Sequence, residues 1–303
     1  MNIAFAIERI KAHIKQYITE CKNEQVTQLC THLSYGKMLR SKLLLAISGM
    51  SEEALRVCAF IEMIQSASLL HDDVIDEAMT RRGKDSINAT FGNKNAIMLG
   101  DVLYSKAFYE LSTLDVRLAQ SVSAAVVRLS VGEIEDVSLS QSFHTHKERY
   151  IRMCADKTAA LIVAAAECGA ILKGLNKHIY RIYGENLGIA FQIVDDVLDI
   201  TQDASTLGKP AMSDFKEGKT TLPYMYLYEC LDANEQAQLL SYFGISLNAE
   251  QAMWIRLQMQ KHNIITRSIN EAKMYANKAR EAIQNEGNDK LQAILAQMIE
   301  RTF

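Results

Sequence analysis

Proline is almost missing from this chain: Pro210 and Pro223 are the only two in 303 residues. A proline inside a helix costs about 3 kcal/mol or more, so so few of them permit long, nearly uninterrupted helices. Long hydrophobic runs are missing too. The greatest, TAALIVAAAECGAIL at 158–172, falls short of the roughly 20 residues a membrane span needs, and Glu167 interrupts it. The opening MNIAFAIERIKAHIKQ carries acid and base throughout and reads as an amphipathic helix, not a signal peptide. Six cysteines occur, Cys21, Cys30, Cys58, Cys154, Cys168 and Cys230, with no C-x-x-C pair and no zinc-like spacing. They read as small buried hydrophobes in a reducing cytosol, so a soluble, cytoplasmic protein is expected. A net charge of −3 argues against a general nucleic-acid binder.

What is present is helical patterning. Hydrophobic residues make up 49% of the chain, enough for a sizeable core. Apolar residues recur at threes and fours. Ala272, Tyr275, Ala276, Ala279, Ala282 and Ile283 form one stripe. No period-two alternation or convincing hairpin signal stands out. Polar connections are expected at 34–37 (SYGK), 80–95 (TRRGKDSINATFGNKN) and 200–223, the longest break. None of these resembles a linker between domains. The expectation is an all-α protein, one large helical bundle over residues 1–303.

Two acidic clusters carry the chemistry. LLHDDVID at 69–76 and QIVDDVLD at 192–199 share one pattern: Asp72, Asp73 and Asp76 are repeated by Asp195, Asp196 and Asp199. On a helix, positions i and i+4 share a face, so Asp72 pairs with Asp76 and Asp195 with Asp199. One such cluster is as readily a solvated helix end as a site; two with matching apolar flanks are not. Like carboxylates repel unless a cation joins them. Hard oxygen donors without accompanying imidazole or thiolate suit Mg²⁺, which takes one or two carboxylates and completes its shell with substrate phosphate. Cations to hold such a phosphate stand beside glycines at expected loop–helix joins: Lys37, Arg40, Arg81, Arg82, Lys209 and Lys219, with Lys157 and Thr158 opening the apolar helix.

These blocks resemble those of the trans-prenyltransferases, the head-to-tail polyprenyl diphosphate synthases. GKMLRS, LLHDDVIDEAMTRRG, FGNKNAIMLGDVL, DKTAALI, GIAFQIVDDVLD and GKPAMSDFKEGKTTLP follow the family's order over nearly the whole chain. The resemblance implies a helical bundle of the isoprenoid synthase type around a hydrophobic tunnel. It implies Asp72, Asp76 and Asp195 as Mg²⁺ ligands on the allylic diphosphate, supported by Asp73, Asp196 and Asp199. Arg81, Lys157, Lys209 and Lys219 would contact that diphosphate, and Lys37, Arg40 and Arg82 the diphosphate of isopentenyl diphosphate. Gln65 falls where many long-chain members carry histidine. Thr158 and Gln192 lie where the family presents oxygens to the allylic cation. The family's typical homodimer is expected here.

Small Ala67 and Ser68, about one turn before Asp72, imply an open tunnel, with its floor on the helix around 121–135. The product expected is a hexaprenyl to octaprenyl chain grown from farnesyl diphosphate. A geranylgeranyl diphosphate synthase and a non-catalytic subunit of a heteromeric synthase are the alternatives. A di-iron bundle would need Glu-x-x-His motifs, and none occurs. A terpene cyclase would not need Lys37, Arg40 and Arg82 together. The sequence departs from the family at Ser41 (usually proline), Asn88 (commonly histidine) and Met212 (usually glycine). His144 and His146 read as solvated residues.

Overall fold

Helix starts are written into the chain by short polar caps. Asn2, Asn23, Ser51, Ser86, Asp232 and Asn248 each accept a backbone N–H from the first turn that follows, which satisfies donors the helix cannot. The computed structural model describes residues 2–202 and 212–299. These are overwhelmingly helical, and the all-α expectation holds. No helix among them is long and apolar enough to cross a membrane.

The chain groups into two compact units. The first comprises Met1–Val127, Leu161–Gly184 and Glu286–Leu291. It contains α1 (Ile3–Thr19), α2 (Glu24–Cys30), α3 (Leu39–Ser48), α4 (Glu52–Ile75), α5 (Ile87–Phe91) and α6 (Asn93–Leu111), and α7 (Val116–Leu139) begins in it. Burial on α1 follows the helical period, with Ala6, Ile10, Ile14, Tyr17 and Ile18 inside. α4 is buried along most of its length and packs most extensively against α6. There Gly100 admits the His71 ring: a Cβ would lie 2.7 Å from its Cδ2. The apolar run becomes α9 (Ala160–Lys173), whose Gly169 lets α3 approach until a Cβ would stand 2.9 Å from Ile47 Cβ. Glu167, the interruption in that run, is 2% exposed. Arg181 Nε donates to it at 2.6 Å, and Ser121 Oγ donates to its other oxygen. A buried carboxylate is retained because it is paired and hydrogen-bonded.

The second unit comprises Arg128–Ala160, Glu185–Asn285 and Gln292–Phe303. α8 (Lys147–Cys154) leads into a π-helical turn, Ala155–Ala159. The unit also holds the C-terminal part of α10 (Lys177–Thr201), then α11 (Ser213–Lys216), α12 (Leu222–Cys230), α13 (Ala233–Ser241), α14 (Ala249–Lys261) and α15 (Ile264–Ala282), with most of α16 (Asp289–Ile299). On the α15 stripe Ala272, Ala276 and Ala279 are buried, with Ile283 just beyond. Phe215 stacks on Tyr224 with centroids 4.2 Å apart.

Three local expectations are corrected. Residues 80–95 are not a plain connection. They form a short antiparallel ribbon, β1 (Thr80–Arg81) with β2 (Lys84–Asp85), then α5 and the start of α6. Arg82 and Gly83 turn it with φ of 54° and 73°, and left-handed backbone at both central residues suits a tight hairpin. Pro223 does not end the 200–223 break but sits in the first turn of α12, where its missing N–H costs nothing. Lys157 and Thr158 do not open a helix at a loop; they lie inside the π-turn that α9 directly follows. Of the cysteines, Cys58, Cys154 and Cys168 are buried, Cys21 and Cys30 half-buried, and Cys230 exposed; all are free thiols.

Candidate active site

The first acidic motif occupies the last turn of α4. Asp76 caps it, its N–H donating to Asp72 O at 2.8 Å. Asp73 is 4% exposed, while Asp72 and Asp76 are half-buried. Arg81 clamps Asp73 through Nε at 2.8 Å and through Nη2. Asn88 Nδ2 donates at 3.0 Å to both Asp73 O and Ala78 O. The asparagine thus staples the helix end to the turn at Ala78 that leads into the ribbon carrying Arg81 and Arg82. Burial pushes the Asp73 carboxyl up, against the pull of Arg81.

The basic residues of this unit stand nearby in sequence but differ in exposure. Lys37 is exposed, and Arg82, also exposed, donates through Nη1 to Ser34 O. Its guanidinium lies over Gly36: a Cβ there would stand 2.9 Å from Arg82 Cζ. Arg40 opens α3, half-buried, with its Nε enclosed and unpartnered. Burial lowers its pKa, and Glu62 opposes that. Glu62 lies on α4 at 6% exposure and accepts from Ser41 Oγ at 2.6 Å and Ser41 N at 3.4 Å. It therefore caps the first turn of α3 from a neighbouring helix. A proline at 41 would lack both donors. Gln65 is half-buried with Oε1 unpartnered. Ala67 is fully buried, and Ser68 turns its hydroxyl back to Gln65 O at 3.0 Å.

In the second unit the second motif lies on α10. Asp195 is exposed, whereas Asp196 and Asp199 are 2% and 1% exposed. Asp199 accepts Ser213 Oγ at 2.9 Å and the Asp214 N–H at 3.3 Å, and its backbone carbonyl accepts the Met212 N–H at 2.8 Å. Met212, where the family carries glycine, holds a left-handed φ of 57° to make that bond. Asp196 accepts from the Tyr150 hydroxyl and from Gln192 Nε2 at 2.8 Å. Burial first, then the nearby Asp214 carboxylate, push it well above the usual carboxylate range. Gln192 Oε1 in turn accepts from Thr158 Oγ1 at 2.6 Å.

Lys157 lies between Glu133 and Asp136, its Nζ 2.8 Å and 2.6 Å from their oxygens. Burial alone would lower this ammonium; the Asp136 and Glu133 carboxylates outweigh it and raise the pKa, with Lys219 opposing them. Lys219 Nζ lies 2.9 Å from Glu217. Lys209 lies outside the described residues. His144 and His146 precede α8, their rings stacked 5.9 Å apart. Sequence reasoning missed Glu62, Glu133, Asp136 and Tyr150. The one available signal was Glu133 and Asp136 at helical spacing in VGEIEDVSL.

Each motif by itself offers the kind of donor a hard divalent cation takes: carboxylate oxygens, half-buried at Asp72 and Asp76 on α4 and exposed at Asp195 on α10. Among the described residues no three His, Cys, Asp or Glu side chains form a ready cage. Mg²⁺ needs none, since it binds through one or two carboxylates plus phosphate.

The chain is 35% identical over 251 residues to a short chain isoprenyl diphosphate synthase of Methanothermobacter thermautotrophicus, covering 78% of this chain and 77% of that one. It superposes on the crystal structure of an octaprenyl pyrophosphate synthase from Helicobacter pylori with a TM-score of 0.94 and 47% identity, over 99% and 100% of the two chains. A polyprenyl synthase from Caulobacter crescentus, solved with calcium and isoprenyl diphosphate, gives a TM-score of 0.90 at 27% identity, over 98% and 95%. Residues 23–256 match the polyprenyl synthetase family. With both aspartate motifs in place on their helices, the chain belongs to the polyprenyl synthetase family and is a prenyltransferase, a trans-polyprenyl diphosphate synthase.

Proposed function

We propose that the protein condenses isopentenyl diphosphate repeatedly onto farnesyl diphosphate, with Mg²⁺, to give a hexaprenyl to octaprenyl diphosphate. One observation carries the site assignment: burial sorts the six aspartates into two kinds. Asp73, Asp196 and Asp199 are 4%, 2% and 1% exposed and are held by protein donors. Asp72 and Asp76 are half-buried and Asp195 is exposed, so an arriving metal–diphosphate complex can reach them without first displacing buried protein.

Asp72, Asp76 and Asp195 would hold Mg²⁺, which would supply positive charge to offset that of the leaving diphosphate. Arg81, Lys157, Lys209 and Lys219 bind that diphosphate. Lys37, Arg40 and Arg82 bind the diphosphate of isopentenyl diphosphate. Thr158 and Gln192 direct oxygens toward the electron-poor allylic carbon. Ala67 and Ser68 leave room for the growing tail. We also read the protein as a homodimer, with exposed Ile97, Met98 and Tyr109 of α6 as apolar surface a second copy would cover.

The long product is supported by the octaprenyl synthase likeness at 47% identity. A shorter, geranylgeranyl-sized product is the second reading, favoured by the short chain relative. Incubation of the purified chain with Mg²⁺, radiolabelled isopentenyl diphosphate and farnesyl diphosphate, then chromatography of the dephosphorylated lipid, decides. Chains of 30–40 carbons are expected, about five per added unit. Products stopping at geranylgeraniol replace the first reading with the second, and no product from the chain alone makes it a subunit awaiting a partner.

A further inference from the structure

Tyr150 has no place in the chemistry above, yet its hydroxyl is built into it. The ring lies on α8 at 1% exposure, and its O–H donates to Asp196 Oδ2. The other oxygen, Asp196 Oδ1, accepts Gln192 Nε2 at 2.8 Å. Gln192 Oε1 then accepts Thr158 Oγ1 at 2.6 Å. The four side chains form one connected series spanning α8, the π-turn and α10, with donors converging on the Asp196 carboxylate from both sides. An amide has one donating and one accepting end. With Asp196 taking the donating end, the accepting oxygen must face Thr158.

We propose that Tyr150 is a positioning residue for the condensation: its hydroxyl fixes the Asp196 carboxylate, which sets the Gln192 amide and, through it, Thr158. The inference rests on the prenyl-transfer reading, in which Gln192 and Thr158 direct oxygens at the reacting carbon. Without the phenol, Asp196 Oδ2 loses its buried donor. The carboxylate is then free to rotate toward other donors, and the Gln192 amide loses its fixed rotamer. Orientation errors at a reacting centre slow the chemical step rather than substrate capture.

Tyr150→Phe keeps the ring and removes only the hydroxyl. The single-turnover rate of the first condensation is expected to fall about tenfold or more, with KM for both diphosphates within about twofold. Thr158→Val should slow the same step. The double variant should be no slower than the slower single, because both break one series. Circular dichroism sets an assay temperature at which all variants are folded. A crystal structure of Tyr150→Phe adds a readout independent of rate: the Thr158–Gln192 separation, 2.6 Å here, should lengthen. A Tyr150→Phe rate within twofold of wild type overturns the inference, as do multiplying effects in the double variant or an unchanged separation. Wild-type protein that forms no product refutes the underlying prenyl-transfer reading; an active wild type with an indifferent Tyr150→Phe refutes only the role given to Tyr150.

Discussion

Gly132 of α7 offers the sharpest test of how this site is held. A Cβ built there would lie 2.8 Å from Lys157 Cα and 2.8 Å from the Asp156 carbonyl carbon, both main-chain atoms of the π-turn. Carbon contacts settle at about 3.5–4.0 Å, so Gly132→Ala must part the helix from the turn by roughly 1 Å. On an exposed helix the same change would stabilise by about 1 kcal/mol through helix propensity. Here overpacking against rigid backbone costs about 1–3 kcal/mol, so the net effect is neutral to destabilising by about 2 kcal/mol. Activity should suffer more than stability. The turn carries Lys157 and Thr158, and a misplacement of about 1 Å costs on the order of 100-fold in rate. Gly188→Ala presses the same turn from α10, where the added Cβ would lie 2.5 Å from Ala159 Cα. Urea unfolding and single-turnover condensation rates on each variant give both numbers. If Gly132→Ala is more stable than wild type and equally fast, the turn is not clamped as described.

The two kinds of aspartate should separate under substitution. Asp195→Asn, at an exposed position, should abolish condensation, whereas Asp199→Asn, buried and bonded to Ser213 and Asp214, should also lose about 1–3 kcal/mol of stability; a larger stability loss at Asp195 than at Asp199 would contradict the division. Burial raises the Glu62 carboxyl above its ordinary 4.5, with Ser41 and Arg40 resisting. The folded state therefore binds the proton more tightly than the unfolded chain, so Glu62 makes stability fall as pH climbs from about 4.5 through the raised value. Glu62→Gln should flatten that decline in urea midpoints, and an unaltered slope would show that Glu62 titrates normally. Ala67→Tyr, at a fully buried site, should shorten the lipid while sparing the first condensation; an unchanged length distribution would place the tunnel elsewhere.

The parts legible in the sequence are those with local causes. The α15 stripe and the two Asp-Asp-x-x-Asp helix segments follow from spacing within a few residues. The π-turn was not legible, because ADKTA carries no mark distinguishing i→i+5 hydrogen bonding from the ordinary i→i+4 pattern. Nor was the ribbon at 80–85, whose two-residue strands are too short to alternate. The partners of the site residues were hidden for another reason. Lys157 meets Glu133 and Asp136, and Tyr150 meets Asp196 from 46 positions away. Such pairs are set by packing, and no local pattern announces them.

The left-handed Met212 has a consequence for how this position can drift. Holding a side chain in that backbone region costs about 1–2 kcal/mol, yet the methionine is 2% exposed, and burying it returns a similar amount. Exchange for glycine relieves the backbone and forfeits the buried thioether, so the two nearly cancel. Relatives can alternate between the two residues here at little cost, with the amide that meets the Asp199 carbonyl present in either case.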